Sequence, residues 1–188
     1  MLEGLKDFYK VVDTMGLEIR GSLSSSWALF SPDQRYRYAL GRHWHWNLPN
    51  FVWIMLNPSI AGVWDDDPTI RKVIGFTARN GGGGFLVINL AALIDKDPKR
   101  MAKDPDPIGP HNPAIVKAIH GLPNISQVLA WGSDARTFAP LLQPTLELIR
   151  FSECLCLGQT KAGEPRHPGR IGYDTPLIPF VKPTSFSV

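Results

Sequence analysis

A three-layer α/β/α sandwich around a mostly parallel sheet is the fold class this 188-residue sequence predicts, and three features predict it. The runs Phe51-Val52-Trp53-Ile54-Met55-Leu56 and Phe85-Leu86-Val87-Ile88 are continuously apolar and each stops at an asparagine, as strands covered on both faces do. A helical pattern opening at Asp67-Pro68 separates them, so strand, helix and strand make a crossover unit. A third apolar run, Gln127 to Trp131, turns at Gly132 into another helical stretch.

Taken in chain order, Leu2, Leu5, Tyr9 and Val12 stand at helical spacing, and Gly16, Gly21 and the serines that follow break that helix. Residues 1–34 read as this helix and a linker, and 35–188 as a single α/β domain. Arg35-Tyr36-Arg37-Tyr38-Ala39-Leu40 alternates like an edge strand, with arginines on a wet face and the other face packed. Asp67 supplies an N-cap and Pro68 a preset first turn, with Ile70, Val73, Ile74, Thr77 and Ala78 along one side. Gly81 to Gly84 follow Asn80 and permit the left-handed exit of a helix. The Pro-rich stretch 95–113 is a surface excursion that ends where Asn112-Pro113 begins a short helix. Pro140 and Pro144 kink or divide the helix expected over 134–149, and Cys154 to Leu157 form a last short strand.

Composition narrows the function classes. The formal charge of +3 permits an anionic partner without requiring one. The two cysteines, Cys154 and Cys156, are too few and too close for a disulfide scaffold, a four-cysteine zinc site or an iron–sulfur cluster. No apolar run is long enough for a signal peptide or a membrane span, so a cytoplasmic protein without membrane contact is expected.

In parallel α/β sheets ligands bind beyond the carboxyl ends of the strands, where this chain carries its polar signals. Asn57-Pro58-Ser59, Asn89 and Trp131-Gly132-Ser133 sit at three strand ends, and a Gly-rich loop contains Lys161, Arg166, His167 and Arg170. An asparagine amide both donates and accepts, which suits a heterocycle edge or a positioned water, although asparagine also terminates strands by capping backbone groups. His167 among cations offers a hydrogen bond or a proton beside an anionic group. Asp65 to Asp67 read as a helix cap and its neighbours rather than a metal site, with Asp66 near enough to Asn57 to meet the pocket. His43 and His45 would share a face if the strand from Arg35 ran that far, but no third metal ligand is evident. No cofactor is expected, and neither glycine-rich stretch is followed by the Lys-Ser/Thr of a P-loop.

The order of motifs Tyr36-Arg37-Tyr38-Ala39-Leu40, Ile54-Met55-Leu56-Asn57-Pro58-Ser59, Asp66-Asp67-Pro68-Thr69-Ile70-Arg71, Val87-Ile88-Asn89-Leu90, Ala130-Trp131-Gly132 and Gly163-Glu164-Pro165-Arg166-His167-Pro168 resembles the bacterial and phage family known as domain of unknown function 1643. More remotely it resembles the uracil-DNA glycosylase superfamily, whose mismatch-specific branch has Asn-Pro where this chain has Asn57-Pro58. That second resemblance implies a glycosylase-like fold and roles for three residues. Asn57 would position the hydrolytic water, Asn89 would read the base edge and His167 would stabilise the departing base. Pro58, Ser59, Asp66, Gly132, Lys161, Arg166 and Arg170 are expected around them as binding residues. Trp64, Phe76 and Trp131 are the candidate stacking partners for the base.

The expected function is thus that of a protein binding a nucleobase in DNA or as a nucleotide, with N-glycosidic hydrolysis as its reaction. The alternative is a noncatalytic nucleic-acid or protein-binding module. A third reading, a metal-dependent hydrolase using Asp65 to Asp67 with His43 or His45, predicts retained metal.

Overall fold

The computed structural model describes residue 8 and residues 12–59, 62–120, 122 and 125–183. The opening helix expected over 2–12 falls mostly outside the described residues; Phe8 and Val12 are buried in the core.

Eight strands form one sheet: β1 (Glu18–Gly21), β2 (Ser26–Phe30), β3 (Arg37–His43), β4 (Asn50–Met55), β5 (Gly84–Asn89), β6 (Ser126–Leu129), β7 (Cys154–Cys156) and β8 (Ile178–Pro179). Their spatial order is β1-β2-β3-β5-β4-β6-β7-β8. The β5-β4, β4-β6 and β6-β7 pairs are parallel, and the other four are antiparallel. The sheet is therefore mixed, which overturns the mostly parallel, glycosylase-like sandwich expected above. The cause lies in the N-terminal segment read as helix and linker. Residues 22–25 join β1 to β2, and a connection that short can only make antiparallel neighbours. The serines that look like breakers form this turn, where Ser22 N–H donates to Ser26 O at 2.8 Å.

β3 is likewise no edge strand. It lies between β2 and β5, and Arg37 is only 3% exposed.

The central strands β4 and β5 lie on the continuous apolar runs. Val52, Trp53, Ile54 and Ile88 are fully buried, each burial being worth about 1.5–3 kcal/mol against an exposed side chain. Trp53 meets the interior without an orphaned polar group, because its Nε1–H donates to Thr77 Oγ1 at 3.0 Å.

Helices cover both faces. On one, α1 (Pro68–Arg79) sets Ile70, Val73 and Phe76 against Phe51, Trp53, Phe85 and Val87. Asp67 caps it as expected, its side chain accepting from Ile70 N–H at 2.8 Å. After the α1 C-cap the chain exits through Gly81 at φ +78°. Between residues 95 and 111 the chain forms one short helix, α2 (Pro98–Met101). On the other face, α3 (Asn112–His120) packs Ile115, Val116 and Ile119 on the sheet. The stretch after β6 divides at Phe138 into α4 (Asp134–Thr137) and α5 (Ala139–Leu146), where Pro140 occupies the first turn of the second piece.

Cys154 and Cys156 are free and buried, and burial pushes the Cys154 thiol up to about 12. They serve the core as small apolar residues. Three tryptophans are buried (Trp27, Trp53 and Trp131) and three are exposed (Trp44, Trp46 and Trp64). No helix among the described residues is long and apolar enough to cross a membrane.

Candidate functional site

The carboxyl ends of the parallel strands β4, β5 and β6 open on one cavity of about 530 Å³, within the size range of small-molecule sites. Asn57 and Ser59 after β4, Asn89 at the end of β5, Gly132 after β6, and His167 all line it. Residues up to 110 positions apart in sequence thus share one wall because parallel strands end on the same side.

Asn89 is 2% exposed. Its backbone carbonyl accepts from Asn112 Nδ2 at 3.0 Å, but its side-chain amide bonds to none of the described residues. A buried amide is normally satisfied, so this one presents a donor and an acceptor to whatever fills the cavity. Asn57 differs. Its Nδ2 donates to Asp95 O at 2.7 Å and Pro58 O at 3.3 Å, which ties the β4 exit to the 95–113 segment. Only its Oδ1 remains for a ligand or a water.

His167 begins a 3₁₀ turn over Pro168–Arg170, and its Nδ1 accepts from Gly169 N–H at 3.2 Å. A neutral ring with an accepting Nδ1 carries its proton on Nε2, which is the donor left for the pocket. The ring touches solvent, yet the surrounding protein lowers its pKa by desolvation against the opposing pull of Asp67 and Asp134.

Two of three contacts tie this loop to the chain after β6, and the Arg166–Gly158 bond closes the loop on itself. Gly132 N–H donates to Pro165 O at 2.9 Å, Arg166 N–H donates to Gly158 O at 3.0 Å, and buried Trp131 donates Nε1–H to Glu164 Oε2 at 2.7 Å. Gly132 has φ +79°, and a Cβ there would lie 3.1 Å from His167 Cβ. Both its backbone conformation and the closeness of the histidine call for glycine.

Arg37 lines the cavity as well, whereas the alternation of residues 35–40 predicts it on a wet face. A β-bulge explains the difference. Leu29 faces Ala39 and Phe30 faces Arg37, so Tyr38 is an extra residue on β3 and the side-chain alternation slips by one. Ala28 pairs with Leu40, and Phe30, two residues on, pairs with Arg37, so Arg37 shares the face of Leu40. Leu40 pairs with Val87, and Asn89 is two residues beyond it. Arg37 and Asn89 therefore stand on the same face of adjacent strands. Burial lowers the guanidinium pKa to about 10, partly offset by the Asp67 carboxylate, so Arg37 stays charged at neutral pH.

Other expected residues lie elsewhere. Asp66 turns away to buried Arg42, accepting from its Nε at 3.0 Å and its Nη2 at 2.8 Å, and Asp67 takes its place on the cavity wall. Lys161, Arg166 and Arg170 are exposed and outside the wall, because the 158–170 loop points its cationic side chains outward while His167 turns in. Pro58 acts through its carbonyl, which accepts from Asn57 Nδ2 and from Asp95 N–H. Of the candidate stacking rings, Trp131 is on the wall; Phe76 is buried against Trp53 and Tyr173, and Trp64 is 71% exposed.

β3 ends at His43, whose Nδ1 faces Asn50 Oδ1 at 3.2 Å and whose ring lies 3.8 Å from that of Trp46. Among the described residues no group of three or more His, Cys, Asp or Glu is placed to hold a metal ion.

Residues 37–169, well over half of the chain, match the family model described as "Protein of unknown function (DUF1643)". No curated protein and no solved structure matches the chain.

Proposed function

The chain belongs to the DUF1643 family, and we propose that its strand-end cavity binds a nucleobase and hydrolyses the N-glycosidic bond that holds it. The observation that carries this reading is the buried, unpartnered amide of Asn89 on the cavity wall. Such a group, open to the cavity, is placed to meet a ligand edge with one donor and one acceptor.

The neighbouring groups suit the chemistry. Water adds to the anomeric carbon of the sugar while the electron pair of the carbon–nitrogen bond leaves with the base. The Nε2–H of His167 donates to the charge developing on the base, which needs a donor in place before the bond breaks. Asn57 Oδ1 orients the water, and the Asp67 carboxylate on the same wall receives its proton. The order of strand-end motifs, similar to that of uracil-DNA glycosylases, supports the type of reaction and carries no argument about the fold.

The alternative of a noncatalytic module has less support, since Asn57, Asn89 and His167 line one open cavity instead of being spent on one another. The test is release of free base, followed chromatographically, from a panel of nucleosides, nucleotides and single-stranded or mismatched DNA. Release abolished by His167→Ala and Asn89→Ala is the expected result. No release from any member removes the hydrolytic reading, and no binding of any base-containing compound removes the nucleobase reading.

A further inference from the structure

Arg37 goes beyond what base recognition requires. A β-bulge, which is a common device for re-aiming a side chain next to a site, carries this arginine out of strict alternation and onto the cavity wall. There it is 3% exposed, on the same face as Asn89 and one strand away. An arginine held in the same cavity, beside the groups assigned to the base and the water, is placed to meet negative charge with a planar fork of donors. The nearby Asp67 does not remove that role. One of its oxygens is committed to the Ile70 N–H, and it stands at a helix N-terminus that already favours its charge. Lys96, exposed at the same cavity, adds a second cation at the rim; of the other carboxylates on the wall, Asp95 is paired with Arg100 at 2.6 Å, and Asp134 stands beyond β6.

We propose that the ligand is a nucleoside monophosphate whose phosphate is held by Arg37 while its base meets Asn89. This rests on the nucleobase reading above and commits it to a free nucleotide instead of a base within a polymer. The enclosure of Arg37 favours the monomer. A strand of nucleic acid would bring its backbone to the exposed cations of the 158–170 loop, whereas a buried guanidinium is reached by a small ligand that enters whole.

The experiment is isothermal titration of the full chain with the four common nucleosides, their 5′- and 3′-monophosphates, inorganic phosphate and a mixed-sequence single-stranded oligonucleotide. At least one monophosphate is expected to bind about tenfold or more tightly than its nucleoside, as a charge-assisted hydrogen bond would give. Inorganic phosphate should compete with it in the unaltered protein, a result that depends on no variant folding. Arg37→Gln should reduce the monophosphate to the level of the nucleoside, and Arg37→Lys should recover part of the difference, with thermal melting to establish that each variant is folded. Equal binding of nucleosides and monophosphates overturns the proposal and leaves the nucleobase reading standing. Binding of monophosphates that is indifferent to Asn89→Ala sinks the nucleobase reading and retains an anion site at Arg37. Failure of every monophosphate to bind, or Arg37-dependent binding of the oligonucleotide alone, overturns the proposal.

Discussion

The indole of Trp131 donates to the carboxyl of Glu164 across 2.7 Å, and both side chains are 2% exposed. This bond joins the end of β6 to the loop that carries His167, so the site depends on Glu164, which does not itself line the cavity. Removal of one partner leaves the other buried and unsatisfied. Glu164→Ala is expected to cost about 1–3 kcal/mol in urea denaturation and to weaken ligand binding through His167. Stability within a few tenths of a kcal/mol of the parent would refute the contact's importance.

Burial raises the Glu164 pKa above its ordinary 4.5, against the pull of the Trp131 hydrogen bond and of Arg136. A raised carboxyl contributes stability that is fully present below the unfolded value and lost as pH rises through the folded one. Glu164→Gln keeps an acceptor for Trp131 without that loss. It should match or exceed the parent in melting temperature at pH 8, with its advantage shrinking below pH 5. A variant that melts lower at pH 8 than the parent contradicts this account.

His120 gives the opposite dependence. Its ring pKa is lowered, first by burial, while its Nε2 accepts from Arg150 N–H at 2.8 Å and its Nδ1 pairs with Gln127 Oε1. His167 is lowered too. Groups held neutral in the fold contribute stability present above the unfolded value of 6.5 and lost as pH falls through the folded values. Chemical denaturation between pH 7.5 and 5 should show stability declining below about pH 6.5. A flat profile over that range would show that neither histidine is linked to folding.

Asn89→Leu separates stability from function. The substitution deletes an amide with no partner and keeps a similar volume, so the variant is expected to equal the parent or exceed it by up to about 2 kcal/mol. Ligand binding should vanish. Destabilisation by several kcal/mol would mean that the amide is satisfied in the unliganded protein.

Gly132→Ala places a Cβ on a backbone at φ +79° and 3.1 Å from His167 Cβ. The left-handed conformation alone costs about 1–2 kcal/mol in a non-glycine residue, and the crowding moves the histidine as well. Calorimetric melting checks the first effect and ligand affinity the second; an unchanged affinity would separate His167 from the site.

What the sequence displays well is local and periodic. The apolar runs of β4 and β5, the Asp67-Pro68 helix start and the asparagines at strand ends can all be read from neighbours a few residues apart. What it conceals depends on pairing. Tyr38 becomes an extra residue only once β2 lies beside β3, so Arg37 could not be assigned to its face from alternation alone. The exchange of Asp66 for Asp67 has a similar origin, because the partner of Asp66 is Arg42, 24 residues away. The Ser-rich turn before β2 resembles a breaker because the same residues favour both, and short antiparallel strands give weak signals of their own.

The partition of the six tryptophans gives the protein an internal optical probe. Trp44, Trp46 and Trp64 lie within reach of an aqueous collisional quencher such as iodide, while Trp27, Trp53 and Trp131 are shielded from it. Of these shielded three, Trp131 alone stands on the cavity wall. Emission that survives iodide therefore contains the signal of the pocket, and a compound that alters it reports occupancy without a label.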